Sequence, residues 1–136
     1  MTPNAKLFCG IILVTVPTIQ YGGYFLLTLL SGKKKLPLTD FQKSMFRAGH
    51  AHAGVLVILA LIAEGLIDNT SLSGSPEWLL RVGFPLSAIL VSGGFFGGAA
   101  GPGAVTTNRF IVILYVGVIV LAVSAVALGI ALIKNS

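Results

Sequence analysis

The chain has 136 residues, 55% of them hydrophobic and 10% charged, with a formal net charge of +5. Soluble domains carry roughly 25% charged residues, so an ordinary water-soluble enzyme is excluded; nine basic residues scattered along the chain also make no phosphate-tracking stripe for nucleic acid. The apolar content excludes a disordered chain as well, which leaves one small domain, 1–136, whose partner is the lipid bilayer.

Apolar runs at about 7–31, 48–67, 78–100 and 110–133 each reach the roughly 20 residues that a membrane span needs. The first follows Lys6, as a signal peptide would. It runs on to Leu30 with no small-x-small cleavage pattern behind it, so it reads as a retained span. Cys9, the single cysteine, lies inside this run and reads as a small packed hydrophobe. Pro17 predicts a kink. Beyond it Gln20, Tyr21 and Tyr24 put polar groups near the midplane, where they either line a pocket or bond to another helix.

Thr39-Asp40-Phe41-Gln42 fits a capping box and starts the second helix near Asp40. Ser75-Pro76-Glu77 supplies an N-cap, a first-turn proline and a first-turn acid for the third. Gly101-Pro102-Gly103 stops that helix, and Thr107 or Asn108 can cap the fourth. In the fourth, Ala125 and Gly129 make a small-xxx-small pair. With these ends the spans become about 7–31, 40–67, 76–100 and 108–133. Short loops make sequential helices antiparallel neighbours. The expected fold is an all-α integral membrane four-helix bundle.

Lys33, Lys34, Lys35, Lys43, Arg47 and Arg109 lie on one side of these spans; Lys6, Arg81 and Lys134 lie on the other. The positive-inside rule then puts the 1–2 and 3–4 loops in the cytoplasm and both termini outside. The lysine run reads as a topology and headgroup anchor.

Polar groups inside a span need a partner or a task. Both histidines fall in Gly49-His50-Ala51-His52-Ala53-Gly54. Residues two apart on a helix point about 200° apart, so His50 and His52 cannot both ligate one metal from a regular helix. Small neighbours leave room for a close helix or a large flat body. Three readings stand: hydrogen bonding across helices, a haem with one axial imidazole, and a copper or zinc site. No other helix has a histidine, so a haem here would keep an open coordination position unless another subunit or residue type filled it. In the third span Ser92-Gly93-Gly94-Phe95-Phe96-Gly97-Gly98 permits close approach of a backbone or a planar ligand. Glu64 and Arg81, on the same side of the membrane, are expected to pair.

These stretches resemble the styrene oxide isomerase family, small four-span membrane enzymes that form trimers, bind haem b and convert epoxides to aldehydes. The likeness rests on Arg47 to Gly54, above all His52-Ala53-Gly54, on Gly94-Phe95-Phe96, and on Gly101-Pro102-Gly103 before a final apolar helix ending at Lys134. The resemblance implies that His52 is the axial ligand of a haem b iron. His50, which has no family counterpart, would stand beside it, with Gly49, Gly54, Gly93 and Gly94 making room. It implies a substrate pocket from Gln20, Tyr21, Tyr24, Ser92 and Phe96, a small lipophilic epoxide as substrate, a homo-oligomer with a trimer favoured, and a bacterial inner membrane. Two positions depart from the pattern. Ile58 stands where the family has asparagine, and Phe96 where it has the tyrosine that assists the epoxide, a role that Tyr21 or Tyr24 would have to take. The rival expectations are a non-catalytic subunit of a respiratory-type membrane complex and a b-type electron carrier.

Overall fold

A computed structural model of the chain describes residues 1–135. It is all-helical, with α1 (Pro3–Leu30), α2 (Asp40–Ile67), α3 (Ser75–Gly98) and α4 (Ile111–Lys134), and no strand among the described residues. At about 1.5 Å per residue these helices are about 36–42 Å long, more than the roughly 30 Å of a bilayer's hydrocarbon core. All four are long and apolar enough to cross a membrane. α1 continues through Pro17 and α3 through Pro85.

The helix ends follow local chemistry, with two corrections. The capping box of α2 forms as expected: the Thr39 hydroxyl accepts from the Gln42 N–H, and the Gln42 side chain accepts from the Thr39 N–H. Gln42 Nε2 also donates to the Ala99 and Gly101 carbonyls, so one buried amide ties the start of α2 to the end of α3. Ser75, expected as the N-cap of α3, is instead its first residue. The cap is Gly74, whose φ of 65° is a left-handed conformation that favours glycine, and no side chain caps this end. The N-cap of α4 is Phe110; Asn108 stands two residues earlier, where its Oδ1 accepts from the Phe110 N–H at 2.8 Å and closes the turn leading into the helix. The Asn108 amide is drawn to the end of α3, where it donates to the Gly97 and Ala100 carbonyls at 2.9 and 3.0 Å. The first turn of α4 is closed by tight bonds such as Ile111 N–H to the Asn108 carbonyl.

The helices pack in chain order, α1 on α2, α2 on α3 and α3 on α4; α1 barely meets α3 and does not touch α4. The α3–α4 seam repeats every seven residues. Leu80, Phe84, Ser87, Val91, Gly94 and Gly98 face Leu114, Gly117, Leu121, Ser124, Leu128 and Ala131, the spacing of antiparallel helices packed at a shallow angle. Small residues set the distance. A Cβ on Gly94 would come 2.6 Å from Leu114 Cα, and one on Gly117 would come 2.7 Å from Val91 N. The expected Ala125–Gly129 pair takes no part: Ala125 is exposed and no atom lies within 4 Å of a Cβ built on Gly129. The seam passes along the Ser124 and Leu128 side of α4 instead.

Candidate functional site

Glu64 and Arg81 pair as expected, and the structure adds partners that the sequence reading missed. Arg81 Nη1 donates to Glu64, Nη2 to Asp68 at 2.6 Å and Nε to Glu77 at 2.9 Å. Thr2 closes the group: its N–H and hydroxyl donate to Asp68, and its hydroxyl accepts from Arg81 at 3.3 Å. A readable signal existed, since Asp68 follows Glu64 and Glu77 precedes Arg81 by one helical turn each. The guanidinium is saturated by carboxylates, so this cluster fastens α1, α2 and α3 together and is closed to a ligand.

The histidines diverge, as their spacing requires. His50 lies against α1. A Cβ on Gly23 would meet its Nε2 at 3.0 Å, and one on Gly22 its Nδ1 at 3.5 Å, so the glycine pair forms the notch that admits the ring. His50 also lines a crevice of about 280 Å³ with Gln20, Gly54 and Ile58.

His52 points the other way and is exposed. Its Nδ1 lies 2.8 Å from the Ala48 carbonyl oxygen, one turn back. A carbonyl only accepts, so Nδ1 carries the proton and Nε2 presents its lone pair outward. The ring rests beside Phe95, with centroids 4.8 Å apart and planes inclined by 33°. The α2–α3 register that joins Glu64 to Arg81 brings Gly93 level with His52. Gly93 is exposed, and nothing lies within 4 Å of a Cβ built on it. An imidazole whose far nitrogen is fixed by the main chain, beside an open glycine and an aromatic wall, fits an axial ligand to a flat macrocycle.

The other expected site residues do not all converge there. Gly54 is open like Gly93. Gly49 is buried under Phe95 and Phe96, and Gly94 under Leu114, so both are filled by protein and leave no cradle for a cofactor. Phe96 packs on Phe46, with centroids 5.5 Å apart. Ser92 lines a separate crevice of about 300 Å³ between α1, α2 and α3, and its buried Oγ has no hydrogen-bond partner among the described residues. Tyr21 and Tyr24 line a third cavity with Lys33 and Lys34, to which no residue of α2 or α3 contributes. Within one chain, then, neither tyrosine reaches the His52 face. The five expected pocket residues form no single pocket because α1 packs mainly on α2 and turns Tyr21 and Tyr24 towards Lys33 and Lys34. For a copper or zinc site, no three His, Cys, Asp or Glu side chains come together among the described residues.

No protein family, curated protein or solved structure matches the chain.

Proposed function

We propose that the protein is a haem b-binding integral membrane protein of the kind that the styrene oxide isomerases represent, with His52 as axial ligand. The observation that carries this reading is the Nδ1 contact with the Ala48 carbonyl, which leaves Nε2 as the lone-pair nitrogen of an exposed ring. His52 would hold the group, and haem b, when bound, would supply Lewis-acid chemistry towards the oxygen of a small lipophilic epoxide, which leads to the isomeric carbonyl compound. The chain's own part is to hold and shield. Ala48 fixes the tautomer and orientation of the imidazole, Phe95 limits its tilt, and Gly93 keeps α3 from obstructing the approach. His52 lies on an outer face, so a second copy of the chain would cover the macrocycle; this favours a homo-oligomer. The 1–2 and 3–4 loops face the cytoplasm in this reading.

The absorption spectrum of purified protein, supplied with haemin, tests the proposal. A Soret band is expected that persists in His50→Ala and is lost in His52→Ala. Absence of the band, or its survival in His52→Ala, overturns the assignment. A high-spin ferric spectrum accords with an open position, whereas a low-spin bis-imidazole spectrum would make the protein an electron carrier. Turnover of an aryl epoxide then tests the isomerase chemistry separately from haem binding.

A further inference from the structure

The whole net charge of the chain gathers at one end. Lys33, Lys34, Lys35, Lys43, Arg47 and Arg109 stand there against one acid, Asp40, which is bound to Lys43 at 3.2 Å. At the other end Lys6, Arg81 and Lys134 are offset by Glu64, Asp68 and Glu77. The basic end contains a shaped cavity of about 400 Å³ on the outer side of α1, lined by Tyr21, Tyr24, Phe25, Thr28, Lys33 and Lys34.

This cavity is built by the backbone. Gly32, with φ of 72°, turns the chain back just after α1. The Lys34 N–H then reaches the Thr28 carbonyl at 2.9 Å, satisfying a helix-end acceptor. That turn carries the Lys34 side chain down along the helix, with Nζ 5.2 Å from the centre of the Phe25 ring. The Thr28 hydroxyl donates to the Phe25 carbonyl. The phenols of Tyr21 and Tyr24 have no hydrogen-bond partner among the described residues, and both side chains are exposed. Two lysines and two tyrosines thus line one space, no carboxylate lines it, and an apolar helix surface runs on below it through Val14 and Leu13.

We propose that this cavity binds the phosphodiester of an anionic phospholipid, with Lys33 and Lys34 on the phosphate, the tyrosine hydroxyls as further donors and the acyl chains along α1. The inference is independent of the haem reading, since the cavity shares no residue with the His52 face. The shared chemistry is a phosphate anion. A lipid is favoured over a soluble phosphate ester because the phenols lie two to three turns inside the apolar span, where only a membrane-borne anion has its chains already in place.

The test uses full-length protein in phosphatidylcholine nanodiscs containing a minor fraction of phosphatidylglycerol, with bound lipid counted by native mass spectrometry. Preferential retention of phosphatidylglycerol is expected. Lys33→Gln and Lys34→Gln should each reduce that preference about fivefold, and Tyr24→Phe should reduce it further. Lys43→Gln and Arg109→Gln remove the same charge from the same end outside the cavity and should leave it unchanged. Equal effects from all four charge changes would overturn the site in favour of diffuse surface attraction. Displacement of the lipid by millimolar inorganic phosphate would overturn it in favour of a soluble anion. All these substitutions lie outside the packed seams of the bundle.

Discussion

Arg81 Nη1 and Glu64 Oε2 lie 2.5 Å apart, and each side chain is only 1% exposed. Removing either partner strands the other, but not equally. Arg81→Met leaves Glu64, Asp68 and Glu77 without their common cation and should cost about 3–5 kcal/mol. Glu64→Gln leaves Arg81 with two carboxylates and should cost clearly less. Unfolding midpoints of the two variants in detergent, compared with the parent, check the order.

Asp68 sits just beyond the end of α2. Burial raises its carboxyl pKa, but the hydrogen bonds from Arg81 and from the Thr2 N–H and hydroxyl outweigh this and hold it below the usual carboxylate range. The unfolded chain therefore binds more protons at acidic pH than the folded one. The stabilisation is complete above the ordinary aspartate range and is lost as pH falls through the lowered value. Thermal midpoints should be flat near neutrality and fall below about pH 4. Asp68→Asn should start lower and lose that part of the slope.

Adjacent glycines of α3 should respond in opposite ways. Gly94→Ala drives a methyl group into the Leu114 backbone of α4, which cannot swing aside, and should cost about 1–3 kcal/mol. Gly93→Ala meets nothing and should be neutral or slightly stabilising through helix propensity. Gly117→Ala should behave like Gly94→Ala. Thermal midpoints of the three variants decide.

Gln42 bonds two carbonyls at the end of α3 while closing the capping box of α2. Gln42→Ala should lose about 1–3 kcal/mol, and the gain in amide hydrogen exchange should be concentrated in residues 99–104 and the first turn of α2.

Features that depend on neighbours in sequence were legible in advance. The capping box of Thr39 and Gln42 needs only three-residue spacing, and the Glu64–Arg81 pair follows from two charges at one end of adjacent spans. What depends on which side a helix turns was not legible. Gly93 and Gly94 are the same residue in the same motif, yet one lies open and the other is pressed against Leu114, because one step along a helix rotates the position by about 100°. Tyr21 and Tyr24 suggested a pocket shared with Ser92 and Phe96. A shared pocket needs all of these side chains on one face, whereas α1 packs mainly on α2 and turns both tyrosines towards Lys33 and Lys34. Asn108 carried the right chemistry for a cap and uses it just ahead of the helix: its Oδ1 accepts from the Phe110 N–H, while its Nδ2 donates to the carbonyls of the preceding helix.

The dependence of Glu64 on Arg81 reaches back to how the chain is made. A nascent polypeptide released after its second segment would hold a lone acid against lipid, with its basic counterpart still inside the ribosome. The second and third segments therefore gain their stability by entering as a hairpin. Thr2, which bonds to both Asp68 and Arg81, cannot settle until that hairpin is in place, so the start of α1 locks only after the two segments that follow it.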